Sequence, residues 1–260
     1  MLKVNVEKPI ASVILDRPDV HNAFNDELVK LVTDTFTELG ARDDVRVIVL
    51  GGNGKSFCAG ADLKWMKRMV HYTREQNLED ARAVGRMYLT IAKCPKPVIA
   101  RVHGAALGGG MGLCAAADLV LAVAGTRFGF TETKLGILPA VIAPFVLAKI
   151  GESHARALIP PGERFSAERA MAIGLVHEVL ADEAAVDARL DAALAEILSA
   201  GPTAARAAKA LIRELRGRQA DAGRELVVGV AARQRVSAEG QEGLSAFLDK
   251  RAPSWPVDQE

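Results

Sequence analysis

Apolar positions in the first third of the chain alternate between strand-like runs and helical spacing. Residues 1–6 read as the start of a strand, and residues 11–15 form a second short β-rich run that stops at Asp16-Arg17-Pro18. Asn25 is a helix-capping residue, and Leu28, Leu31, Val32, Phe36 and Leu39 then recur on one helical face. That spacing predicts a helix through Glu38, closed by Gly40. Residues 45–50 are a continuous apolar strand, followed by the loop Gly51-Gly52-Asn53-Gly54.

Helical spacing resumes near Asp62 and again over residues 78–93. Pro95 and Pro97 lead into an apolar strand at 98–102. A glycine-dense loop, 104–110, opens a helix of small residues, and 119–123 is again a strand. Strand, loop, helix and strand in this rhythm predict an α/β fold with buried parallel strands. From about Glu183 onward the signals are helical only, over 184–198, 202–215, 219–236 and 240–250, with Pro202 suited to a helix first turn. The expected division is a core at 1–198 and a helical C-terminal region at 199–260, packed on the core or on a neighbour.

Composition narrows the function classes. The chain has 260 residues, half of them hydrophobic, and a formal net charge of +1. That is enough to build a large core, and near-neutral charge gives no reason to expect nucleic-acid binding. Cys58, Cys94 and Cys114 lack metal-ligand spacing, and an odd count argues against a disulfide framework. The richest apolar stretch, 107–123, is broken by glycines and Asp118, so no membrane span is expected. The expectation is a soluble, cytoplasmic bacterial-type enzyme with no metal.

Gly108-Gly109-Gly110 follows a strand and opens a helix, as phosphate-binding loops do. Its spacing is neither Gly-x-Gly-x-x-Gly nor the eight-residue Gly-x-x-x-x-Gly-Lys-Ser/Thr motif, and alone it reads as a tight turn. A second loop, Phe57-Cys58-Ala59-Gly60-Ala61-Asp62, has the same context. Two loops with exposed amides at helix starts could aim two N–H donors at one oxygen, an arrangement that stabilises an oxyanion on a carbonyl.

At this point the residues resemble a known family. Residues 58–63 (Cys-Ala-Gly-Ala-Asp-Leu) and 103–110 (His-Gly-Ala-Ala-Leu-Gly-Gly-Gly) are similar to the enoyl-CoA hydratase/isomerase (crotonase) superfamily. Asp16-Arg17-Pro18 with Asn22-Ala23-Phe24-Asn25 resembles its N-terminal signature. Phe128-Gly129, Glu132, Leu135-Gly136 and Pro139 resemble its active-site segment, and Glu239-Gly240-Gln241-Glu242-Gly243, Ala246-Phe247 and Lys250-Arg251 its C-terminal signature. The match spans nearly the whole chain in order.

The resemblance implies a spiral of ββα units with a C-terminal helical region, assembled as a homotrimer or a dimer of trimers. It implies an acyl-CoA substrate with no separate cofactor, and the amides of Ala61 and Gly109 around the thioester oxygen. Ala59, Ala61, Asp62, Leu63, Lys64 and Gly109 fall along the ligand, and Phe247 and Lys250 fall at positions that can reach a neighbouring subunit's CoA. Lys55 is a further candidate for the phosphates. The implied proton carrier is Glu132. The family's other acid falls here on Gly112, which has no ionisable group.

The segment 131–142 resembles methylglutaconyl-CoA hydratase-like members, although Ala140-Val141-Ile142-Ala143-Pro144 is bulkier than the glycine cluster usual there. The activity implied is hydration of a branched enoyl-CoA, with or without a distal carboxylate of the 3-methylglutaconyl kind, with a Δ3,Δ2-isomerase using one Glu as the alternative. RNA binding through Lys64, Lys67 and Arg68, and a non-catalytic scaffold, are the alternatives from other classes. Among other residues, Asp62 is expected to cap its helix, His103 to be a satisfied core histidine and Asp118 to be structural. His21 stays open between a structural and a CoA-side role. Trp65, Met66 and Met69 stay open between core packing and acyl-pocket wall.

Overall fold

The computed structural model describes residues 1–255. The chain runs through β1 (Leu2–Glu7), β2 (Ile10–Leu15), α1 (Asp26–Ala41), β3 (Val47–Gly52), α2 (Leu63–Met69), α3 (Arg74–Lys93), β4 (Val98–Val102) and β5 (Ala105–Leu107). It continues through α4 (Gly109–Ala116), β6 (Leu119–Val123), β7 (Arg127–Gly129), α5 (Ala143–Leu158), β8 (Arg164–Ser166), α6 (Ala167–Ala172) and β9 (Glu178–Leu180). The helical end comprises α7 (Glu183–Ser199), α8 (Pro202–Leu215), α9 (Ala220–Val236) and α10 (Ala238–Leu248).

Six strands form one sheet in the order β1-β2-β3-β4-β6-β9, antiparallel only between β1 and β2. The central strands are mostly apolar because both faces of the sheet are covered, with Arg101 of β4 paired to Asp187 and Glu183 of α7. Ile48 and Leu50 of β3, Val98, Ala100 and Val102 of β4, and Val120 and Ala122 of β6 join the main core with α1, α3 and α4. Their alternates Val47, Val49, Ile99 and Leu121 face Val186, Ala193 and Leu194 of α7. Each fully buried Val, Leu or Ile in such a double layer contributes about 1.5–3 kcal/mol.

A second sheet, β5-β7-β8, stands beside the first. Its three-residue strands were not anticipated, because so short a run carries no period, and β5 lies inside the glycine-dense stretch. The other departures are local. The helix after Asn25 runs past Gly40 to Ala41, and Leu31 is 38% exposed rather than on the buried face. α3 starts at Arg74, four residues earlier than its apolar spacing, because Thr73 and Gln76 form a capping box there.

Beyond α7, helices α8, α9 and α10 pack on one another. Lys209 of α8 ties them to the core by donating to the Lys96 carbonyl at 2.9 Å and pairing with Asp118. The last five residues of the 199–260 region lie outside the described residues. No helix among the described residues is long and apolar enough to cross a membrane.

Candidate active site

Parallel strands β2, β3, β4 and β6 end on one edge of the large sheet, and the loops leaving that edge converge, as ligand loops do in open α/β folds. The loop after β3 is sewn into two neighbours. Cys58 N donates to the Ala105 carbonyl at 3.0 Å, and Leu107 N returns to the Cys58 carbonyl at 2.9 Å. On its other side Phe24 N donates to the Gly60 carbonyl at 2.7 Å, and Asp62 N to the Phe24 carbonyl at 2.8 Å. Amides alternate in direction along an extended segment, so Ala61 N–H points away from Phe24. It has no acceptor among the described residues.

Gly109 begins α4, where the first amides of a helix lack intrahelical acceptors, and its N–H also has none among the described residues. The two loops meet because glycines let their backbones touch. A Cβ built on Gly60 would lie 3.1 Å from the Leu107 carbonyl oxygen and 3.5 Å from Gly109 N. Gly108, at φ 50° and ψ −117°, holds a conformation that a side chain disfavours, and a Cβ there would lie 3.3 Å from Glu132 Oε1.

Glu132 sits on a single 3-10 turn, Thr131–Leu135, directly after the fully buried Phe128 and Phe130. Its Oε2 is buried without a hydrogen-bond partner among the described residues. Burial pushes the carboxyl above the usual range, and only its own backbone amide works the other way. Leu135, three residues on, is 61% exposed and adds little to this apolar setting. A nucleophilic thiol is not the alternative, because burial raises Cys58 and Cys114 to about 12. No group of three or more metal-binding side chains occurs among the described residues.

The position of Gly112 is solidly packed. A Cβ there would collide with Ile142 Cγ2 and lie 2.6 Å from Tyr88 Cε1. The missing second acid is therefore a steric fact as well as a sequence one: Tyr88 and Ile142 fill its place.

The remaining residues sort by their partners. Asp62 caps α2, its Oδ1 accepting from Lys64 N at 2.7 Å, while its Oδ2 accepts from Arg17 Nη2 at 2.7 Å. Both its oxygens are thus used within the protein, and it is nearly fully buried. Ala59 N donates to the His21 carbonyl, Ala61 and Leu63 are exposed beside the loop, and Lys64, Lys67 and Lys55 are exposed. Arg68 is taken by Asp26 at 2.7 Å. Trp65 is core, donating to Asp80, whereas Met66 and Met69 are half-buried.

His21 Nδ1 lies 3.1 Å from Ser56 Oγ. His103 is buried with Nε2 at 2.8 Å from the Gly54 carbonyl, but its Nδ1 has no partner among the described residues, so it is only half satisfied there. Asp118 is structural, accepting from Val98 N and from Lys209. Phe247 and Lys250 are exposed at the end of α10 and just beyond it, away in sequence from every loop described above.

Three residues that support this geometry escaped the sequence reading. Arg17 braces Asp62 and also donates to the Ala23 carbonyl. Asn22, fully buried, accepts from Arg17 N and donates to the carbonyls of Asn53 and Ser56. The third is Tyr88. The motif Asp16-Arg17-Pro18…Asn22 held a signal for the first two.

The family model described as enoyl-CoA hydratase/isomerase matches residues 5–258. The 1,2-epoxyphenylacetyl-CoA isomerase of Escherichia coli is 32% identical, over 96% of each chain. Enoyl-CoA hydratase domain-containing protein 2 of Bos taurus is 34% identical over 95% of this chain and 84% of its own. A crystal structure of an enoyl-CoA hydratase from Shewanella pealeana superposes with a TM-score of 0.94 at 35% identity, covering 98% of this chain and 95% of that one.

Proposed function

From the premise that the chain belongs to the enoyl-CoA hydratase/isomerase family, we propose that it hydrates an α,β-unsaturated acyl-CoA, with Glu132 as its only proton carrier. The observation that carries this reading is the carboxyl of Glu132, with Oε1 against Gly108 and Oε2 buried without a hydrogen-bond partner among the described residues, beside the amides of Ala61 and Gly109, which have no acceptor among those residues. The thioester oxygen sits between those two amides. Glu132, as carboxylate, takes a proton from water while the water oxygen bonds to Cβ. The electrons of the double bond move onto the thioester oxygen, and the amides hold the resulting enolate. Glu132 then returns the proton to Cα, so that H and OH are added and the carboxylate is restored.

The CoA moiety runs past Ala59, Leu63 and the exposed Lys64, and Phe247 and Lys250 reach the CoA of a neighbouring subunit. Asp62 supports this path from behind, as the cap of α2. The reaction needs no cofactor beyond the CoA of its substrate. Near Gly109 the neighbours are the Phe24 ring and the Tyr88 hydroxyl, and a branched acyl group is the substrate this reading favours. A carboxylated, 3-methylglutaconyl-like chain would find its cation outside this part of the pocket.

One observation favours a second reading. With Gly112 packed solid by Tyr88 and Ile142, no second acid holds a water. A Δ3,Δ2-isomerisation needs none: Glu132 removes a proton from Cα and returns it at Cγ. Crotonyl-CoA, 3-methylglutaconyl-CoA and 3-hexenoyl-CoA separate the two, because hydration removes the ultraviolet band of the conjugated thioester and isomerisation creates it. Glu132→Gln should slow either reaction by roughly 10²–10⁴-fold; unchanged turnover would remove Glu132 from the mechanism.

A further inference from the structure

We propose that Tyr88 is a positioning residue, whose phenol orients the Gly109 amide toward the thioester oxygen. This rests on the reading that Gly109 N–H is one of the two donors. Tyr88 lies near the end of α3 and is fully buried between Met87 and Ile91. A buried phenol needs an acceptor, and this one donates to the Gly109 carbonyl at 2.7 Å. It thus anchors the residue that carries the free amide. Burial holds the phenol well above its ordinary pKa, so it remains a donor at any working pH.

The same ring also packs against Phe24, whose backbone flanks Ala61. It meets Phe24 edge-on, with centroids 6.4 Å apart and planes at 87°. Phe24 ring carbons lie 3.0 and 3.1 Å from a Cβ built on Gly109, and the Phe24 backbone is bonded on both sides of Ala61, to Gly60 and Asp62. Tyr88 and Phe24 therefore set the spacing between the two donors: one by a hydrogen bond to Gly109, the other by backbone pairing around Ala61. A core filler would need only the ring. The aimed hydroxyl is the part that packing does not explain.

The test is Tyr88→Phe, which keeps the ring and deletes the donor. Its readout is the carbonyl stretch of crotonyl-CoA carrying ¹³C at the thioester carbon, bound to the enzyme, together with kcat and KM on the substrate the panel identifies. Wild type should shift the stretch to lower frequency, because two amides polarise the carbonyl. In Tyr88→Phe the shift should shrink and kcat should fall about tenfold with KM within about twofold, since the loss falls on the transition state. An unchanged shift and kcat would overturn the role of Tyr88. No shift in wild type would instead overturn the paired-amide reading beneath it. Should Tyr88→Phe fail to fold, 3-fluorotyrosine at position 88 keeps the fold and makes a stronger donor. The shift should then grow, and a constant shift would again count against the proposal.

Discussion

Glu132 is a carboxyl group that the fold holds at a cost. Burial raises its pKa above the ordinary value, so the folded protein binds a proton there more tightly than the unfolded chain does. Stability from that proton is fully present below the unfolded value and is lost as pH rises through the folded one. Glu132→Gln should therefore melt at a higher temperature than wild type at pH 8, with the gap closing near pH 4; equal melting curves at both would show that the carboxylate is not strained. In the wild-type rate, the limb that reports Glu132 as a base should lie above the usual carboxylate range. Glu132 was legible in the sequence because Thr131-Glu132-Thr133-Lys134 sits inside a recognisable segment. Tyr88 was not. Its partner Gly109 is 21 residues away, and they meet only because α3 crosses behind α4, which no spacing along α3 records.

The elements that read well are those long enough to carry a period and a punctuation mark. Asn25 caps α1 by accepting from Leu28 N at 2.9 Å, and α8 begins at Pro202 and ends at Leu215 as its pattern predicts. β5, β7, β8 and β9 are three residues each, and Gly151, at φ 70°, breaks the helical path inside α5, so their patterns are too short or too interrupted to read. What sequence leaves out at this scale is how loops brace one another. Arg17 and Asp62 form an ion pair at 2.7 Å with side chains 16% and 5% exposed. Removing one partner of so buried a pair costs about 3–5 kcal/mol. Arg17→Ala should show that loss in urea unfolding, along with weaker turnover as the Ala61 loop loosens; a change under about 0.5 kcal/mol, typical of surface sites, would mean the pair braces nothing. Burial raises Asp62, but Arg17 and the Lys64 and Trp65 amides outweigh it and leave it lowered. Its stabilisation is therefore lost as pH falls below the ordinary Asp range. Gly112→Ala tests the packed wall behind Gly109. Its Cβ would overlap Ile142 and Tyr88, an overpacking that costs about 1–3 kcal/mol, read as a lower melting temperature.

Across the whole molecule, apolar surface is unevenly hidden. The large sheet is covered on both faces, whereas α8 contains no fully buried residue, and Ile212, Val236, Phe247 and Leu248 are 74–81% exposed at the helical end. Large apolar side chains this exposed, on helices that pack on one another, are candidates for burial against another copy. A formal charge of +1 adds little repulsion to keep copies apart. The helical end is therefore expected to bury this surface against other copies, in the trimer or dimer of trimers inferred for the 199–260 region. Light scattering after size exclusion should give a multiple of the 27.6 kDa chain mass, and a monomer at micromolar concentration would exclude the idea. Leu248→Glu should shift that mass downward, because a charge cannot be buried there unpaired. Since Phe247 and Lys250 flank this substitution, the dissociated variant also tests whether they complete a neighbour's CoA site. A raised KM for acyl-CoA with kcat retained would place them on the substrate. A loss of mass with both constants unchanged would make the helical end a matter of assembly alone, leaving Glu132 and the two amides complete within one chain.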